Sequence, residues 1–238
     1  MQRLLTYGIL VIVNMSIFDV PKPGVFASPQ LLALAESSGT FDPHGDLRLV
    51  VGHDKAESLV CSRSLARASP VFRNMLYGRF SEAMPARGEW RVELPEDDPN
   101  ALCFLFNIIH GRFDRIANGI GAVYADRDIY EVAILTDKYD LTHMLRPWAN
   151  SWLNDIANRH RRDFTSRIWI AWEMGDYKLF AAECENLYLN AAIDSDGNLL
   201  DASGTRLDTC PMLENLDILG EYLLILNTSR RCSVCGSV

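Results

Sequence analysis

The sequence predicts an α+β fold: a core with a small three-stranded sheet capped by helices, and an α-helical C-terminal extension behind it. Three observations carry that prediction. Short segments alternating apolar and polar residues fall between residues 46 and 94. From residue 98 onward, apolar residues recur at spacings of three and four, as helices require. Two dipeptides, Ser69-Pro70 and Asp98-Pro99, have the chemistry of helix starts: a side-chain acceptor for orphan N–H groups, then a residue that needs no N–H partner.

Composition sets the limits. With 48% hydrophobic and 10% aromatic residues, the chain has ample material for a packed core and is not a disordered one. Its 238 residues suit one ordinary domain with an appendage, or two small domains. Acids outnumber bases 31 to 23, a net charge of −8, which disfavours nucleic acid as the main partner. Six cysteines in so long a chain make no disulfide scaffold; most sit in apolar periodic segments, where a thiol acts as a small hydrophobe. A reducing intracellular compartment, cytoplasmic or nuclear, follows as the expectation.

Residues 1–40 are expected to form a loosely attached or partly disordered segment. Arg3 and the apolar run Leu4 to Val13 have the outline of a secretory signal, but no small-x-small cleavage pattern follows directly. The run is also too short to span a bilayer, so no membrane association is expected. Pro21, Pro23, Gly24 and Pro29 then punctuate the chain.

From Asp46, Leu47, Leu49 and Val51 alternate with Arg48 and Val50, the pattern of a half-buried strand. Gly52-His53-Asp54-Lys55 is a polar turn, and residues 56–60 return as the partner strand. Two short helices flank Ser69-Pro70. Trp90, Val92 and Leu94 share one face of a third strand. Ala101, Leu102, Leu105, Ile108 and Ile109 form one face of the helix that Asp98 caps and Gly111 ends.

The rest reads as helical. Ile129, Val132, Ala133, Thr136 and Tyr139 make one stripe, and Leu145, Trp148, Ala149, Trp152 and Ile156 the next. Ile168, Trp169 and Trp172 make a third, stopped by Gly175. Asp176 caps a helix carrying Leu179, Phe180, Cys184, Leu187 and Tyr188. Asp194-Ser195-Asp196-Gly197 is an exposed turn, and Leu213, Leu216, Leu219 and Leu223 belong to a final helix.

This order resembles the BTB/POZ domain, a protein–protein interaction fold, over residues 44–145. The residues that carry the likeness are Asp46; Leu65, Ser69, Pro70 and Phe72 in a Leu-x-x-x-Ser-Pro-x-Phe helical pair; Phe80 and Glu82; Leu94; Asp98-Pro99; Ile109-His110-Gly111; and Leu135-Thr136-Asp137-Lys138-Tyr139. The wording around Cys61 to Phe72, and Trp169 to Asp176 in the tail, is similar to divergent members abundant in filamentous fungi. The division that follows is 1–40, a BTB-like domain at 41–145, a helical extension at 146–228 and a flexible tail at 229–238.

The resemblance implies docking in place of catalysis. In ubiquitin-ligase adaptors of this family, a hydrophobic-x-Glu at the position of Phe80-Ser81-Glu82 helps dock a cullin scaffold. The alternative is a Phe80 that closes the core beside a solvated Glu82. In dimeric members the aspartate matching Asp46 and a following base line a charged pocket. Here Ser62 replaces that base and the adjacent Arg63 points elsewhere, which puts the pocket in doubt. Homodimerisation is admitted, with Gln30 to Glu36 as the upstream helix, but its strand partner is weak. The expected functions are a substrate adaptor for a cullin-type ligase or, alternatively, a self-assembling or transcription-associated scaffold. An enzyme of unrecognised type is the third class.

Other chemistry is thin. Trp148, Trp152, Trp169 and Trp172 suit a helical core, with a peptide groove as the sharper alternative. Cys232-x-x-Cys235 lacks two further ligands, so no metal is expected, nor any cofactor. Gly119-Ile120-Gly121 lacks the strand and lysine of a phosphate loop. Asp126, Asp128, Asp137 and Asp140 fall at helix starts or on solvated faces. The five histidines are scattered singly, and no Gly-x-Ser-x-Gly elbow exists. Arg159-His160-Arg161-Arg162, with Arg167 nearby, is a basic cluster of the kind that touches phosphate or serves nuclear import, but Asp155 and Asp163 dilute it and it reads as a solvated loop between helices.

Overall fold

A computed structural model of the chain describes residues 39–116, 126–158, 164–196 and 198–200, together with Gly204, Arg206, Leu207 and Leu213. The Leu4–Val13 run, Gln30 to Glu36, Gly119–Gly121, Arg159–Arg162, the final helix beyond Leu213 and Cys232 and Cys235 lie outside the described residues.

Strand β1 (Leu47–Val51) and strand β2 (Ala56–Val60) form the expected hairpin, in a register that sets Leu47 opposite Val60. Gly52 at φ 71° and Lys55 at φ 54° make the turn, closed by Lys55 N–H donating to Gly52 O at 3.1 Å. Strand β3 (Arg91–Leu94) pairs parallel to β1, giving the order β2-β1-β3. Leu47, Leu49, Val51, Val60, Trp90, Val92 and Leu94 are buried, as the alternation requires, but Val50, on the alternate face with Arg48, is buried too.

Helices α1 (Ser62–Ala68) and α2 (Pro70–Tyr77) meet at Ser69, whose backbone is extended as the residue before a proline must be. Ser69 Oγ accepts from Phe72 N–H at 2.9 Å and donates to the carbonyl of Tyr139 at 2.5 Å, so the hinge is tied to a residue 70 positions away. Helix α3 (Pro99–Ile109) begins as predicted, with Asp98 Oδ1 accepting from Ala101 N–H at 2.7 Å.

The single apolar face expected for α3 is wrong. Every residue from Ala101 to Ile108 is buried, including Cys103, Phe104 and Phe106, while Ile109 is only partly covered. The helix runs through the middle of the domain, against α1 and β2 on one side and α4 (Asp126–Tyr139) on the other. A helix covered on all sides carries no polar face to reveal its orientation.

On α4 the predicted stripe is buried throughout, and Phe72 stacks on Tyr139 with centroids 4.2 Å apart. Tyr139 Oη and Lys138 Nζ both donate to the buried Asp97, at 2.5 and 2.6 Å, clamping the end of α4 to the turn after β3. Then follow a 3₁₀ turn (Thr142–Leu145), α5 (Arg146–Ala157), α6 (Phe164–Met174) and α7 (Tyr177–Asn190), the last capped by Asp176 as expected. The turn at Asp194 is the tip of a two-stranded antiparallel hairpin of β4 (Ala192–Ile193) and β5 (Leu199–Leu200).

The hydrophobic core crosses the 145/146 division without a break: Trp152, Ile156, Trp169 and Ile170 join the cluster that contains Leu49, Phe72 and Phe104. Each fully buried Leu or Phe in it contributes roughly 1.5–3 kcal/mol.

Asp126 and Asp128 stand in the first turn of α4, as the helix-start reading has it, and both are buried. Arg167 Nη1 lies 3.1 Å from Glu183 Oε1, and its Nε 3.9 Å from Asp126 Oδ2, all three residues buried. Arg167 therefore belongs to an interior ion cluster joining α4, α6 and α7, and not to a basic surface patch. Burial pushes the Glu183 carboxyl up, with Arg167 pulling against it.

Candidate docking surface

Helix α1 starts without a cap of its own, because Cys61 at the cap position supplies no side-chain hydrogen bond. Two distant residues serve instead. The Leu47–Val60 register brings the residue before β1 beside the one after β2. Asp46 Oδ1 accepts from Ser62 N–H at 2.8 Å and its Oδ2 from Ser62 Oγ at 2.7 Å. Cys61 N–H donates to His110 Nε2 at 3.0 Å. Partial burial would raise the Asp46 carboxyl, but the Ser62 bonds outweigh it and hold Asp46 below its usual range, with Arg63 adding a weaker pull. Arg63 is exposed and forms no ion pair with Asp46 among the described residues. Where a charged pocket was in question, the structure has a carboxylate bound to a buried serine.

His110 is fixed by the same start. Accepting from Cys61 leaves Nε2 unprotonated, so Nδ1 carries the proton and donates to Phe106 O at 2.8 Å. Burial lowers its pKa, with Phe106 and Asp42 opposing and Arg112 assisting.

From Ser62 a chain of contacts runs to the surface. Its single hydroxyl proton goes to Asp46, which can only accept, so the Tyr77 hydroxyl 2.6 Å away is the donor to Ser62 Oγ. The Tyr77 ring meets Trp90 edge-on at 5.8 Å and 87°. Trp90 Nε1–H in turn donates to the carbonyl of Glu82 at 2.9 Å. Met84 N–H donates to Leu76 O at 3.2 Å and Ala83 N–H to Phe80 O at 3.1 Å. At Gly78 a Cβ would sit 2.2 Å from Asn74 O, so only glycine lets the loop leave α2 this way.

A loop anchored from behind thus presents its front to solvent. Phe80 and Met84 are each 53% exposed and Tyr77 45%. Glu82 is half-buried, its carboxylate accepting from Ser81 Oγ at 2.8 Å. Phe80 does not close the core. An exposed aromatic beside a positioned carboxylate is the composition of an interface anchor. Residue patterning gave no sign of Tyr77, Trp90 and Ser62 as its supports, because their contacts are tertiary.

The tryptophans separate. Trp148, Trp152 and Trp169 are 8%, 1% and 6% exposed, with Trp152 against Phe104 and Trp148 against Phe113. Only Trp172 is open, at 52%, beside Phe180. No groove is lined by all four: α6 is buried from Ser166 to Ala171 and emerges at its C-terminal end.

Among the described residues no group of three His, Cys, Asp or Glu could hold a metal ion. The Ser69 hydroxyl is buried and bonded twice, and the thiols of Cys103 and Cys184 are pushed up by burial to about 11, which keeps them protonated and unreactive. Among the described residues no helix is long and apolar enough to cross a membrane. No protein-family model matches the chain, and no curated protein matches it in sequence.

Proposed function

We propose that this chain is an intracellular protein–protein interaction module of BTB type, working as an adaptor that presents a bound partner to a cullin-type ubiquitin ligase. The observation that carries the reading is Phe80: a large aromatic side chain, half exposed, on a loop whose backbone is fixed by Trp90 and Leu76. A loop that is already ordered loses little entropy when it docks. Phe80 is the anchor, Met84 and Tyr77 its apolar surround, and Glu82 the charge that sets register. The order of elements from Asp46 to Tyr139, with the Ser69-Pro70 hinge joining two helices, supports the same family. Asp46 and Arg63 contribute differently: Asp46 braces the helix behind the loop, and Arg63 is a rim charge.

The test is calorimetry and pull-down with the N-terminal region of a cullin. The chain binds it, and Phe80→Ala/Glu82→Ala weakens binding by roughly 30-fold or more, the effect of losing a hot spot of about 2 kcal/mol or above. Arg63→Ala leaves affinity within a few-fold. No detectable binding by the unaltered chain would reject the adaptor reading.

A further inference from the structure

The sheet has two edges of different character. Along β2, residues 39–42 run beside Leu59, with Phe41 N–H donating to Leu59 O at 2.9 Å and Leu59 N–H donating to Gly39 O. Along β3 no strand or bridge pairs on the side away from β1 among the described residues. Arg48 N–H donates to Trp90 O and Gly52 N–H to Leu94 O, so residues 90, 92 and 94 direct their backbone groups toward β1. Arg91 and Glu93 direct theirs outward, and no backbone partner meets them among the described residues. Both side chains stand on the exposed face.

We propose that this edge pairs antiparallel with the same edge of a second copy, joining two three-stranded sheets into one of six strands. Charge selects the partner and the register. Outward-facing residues must meet outward-facing residues, so three alignments exist: Arg91 opposite Arg91, Glu93 opposite Glu93, or Arg91 opposite Glu93. The first two set like charges against each other. The third, centred on Val92, places an Arg–Glu pair on each side of the two-fold axis. It also forms two hydrogen-bonded pairs from the four free backbone positions. A protective edge commonly carries like charges, which repel any copy of itself. The Arg-Val-Glu order here is instead its own complement. The occupant is therefore a second copy of this chain, and the surface is distinct from the Phe80 loop and independent of its role.

The experiment is sedimentation velocity of the full chain from micromolar to near-millimolar concentration, with hydrogen exchange on the same samples. The unaltered chain dimerises, and the Arg91 and Glu93 amides gain protection on association while those of Val92 and Leu94 are protected throughout. Arg91→Glu and Glu93→Arg each weaken association by about 10–100-fold, because both new facing pairs repel. An equimolar mixture of the two single variants restores it, since each then complements the other, and so does the double exchange on one chain. Arg91 also bonds Glu57 at 2.7 Å, so the Glu93→Arg arm isolates the edge from that contact. Circular dichroism identical to the parent verifies folding. A chain monomeric at every concentration, single variants that dimerise normally, or a mixture that stays monomeric would each overturn the proposal. So would protection of Arg91 and Glu93 that appears only with an extended peptide from another protein.

Discussion

Removing the hydroxyl of Ser69 tests how the two halves of the domain are held together. Ser69 is fully buried and its Oγ serves two purposes. It accepts from Phe72 N–H, the cap of α2, and it donates to the Tyr139 carbonyl at the end of α4. Loss of the cap costs about 0.5–2 kcal/mol. Leaving the Tyr139 carbonyl without its donor costs about 1–3 kcal/mol, because it then stays buried and unpaired. Ser69→Ala should therefore cost about 2–4 kcal/mol, or about 5–15 °C in Tm for a chain of this size. Ser69→Gly keeps most of the cap and should show mainly the Tyr139 loss. Urea and thermal unfolding followed by circular dichroism give both numbers. Ser64→Ala is the reference, since that hydroxyl only accepts a 3.3 Å bond from Arg67 at the surface. A Ser69→Ala cost within about 0.5 kcal/mol of Ser64→Ala would refute the reasoning.

Two further expectations concern ionisation. His110 is held neutral by the Cys61 N–H and by burial, so its folded pKa lies below the ordinary 6.5. The unfolded chain then binds the proton more readily, and stability is full above about pH 6.5 and declines as pH falls from there toward the folded pKa. His110→Gln should flatten that limb in urea midpoints taken from neutral to mildly acidic pH; an unchanged limb would exclude His110 as its source. In the interior, Arg167→Met takes away the guanidinium that lies 3.1 Å from Glu183 and leaves that carboxylate buried. The expected cost is about 3–5 kcal/mol, partly recovered at acidic pH as the Glu183 carboxyl, already pushed up by burial, protonates, and thermal unfolding across pH checks both parts.

Local chemistry made much of this fold legible. The alternation at Leu47, Leu49 and Val51, the Gly52–Lys55 turn, and the Ser69 and Asp98 caps depend on neighbours a few residues away, and each stands where the sequence puts it. What failed depends on distant partners. Asp126 stands at a helix start, as read, but its burial gave no local sign, because its cation, Arg167, is 41 residues further on. Trp172 reads as one stripe with Ile168 and Trp169, but burial on α6 varies along the axis more than around it. The Phe80 loop was visible as a motif. Its bracing by Trp90 and Tyr77 was not, since neither shares a periodic pattern with it.

The pair of hydrogen bonds from Ser62 to Asp46 has a bearing on how variants of this protein are interpreted. An alanine at position 46 removes the acceptor for the first amide of α1, and the disturbance can travel by way of Tyr77 and Trp90 to the backbone of Glu82. Impaired partner recognition in such a variant would then be an indirect, architectural injury. Mapping contacts by scanning substitutions should rely on side chains such as Phe80 and Met84, whose removal leaves the scaffolding intact.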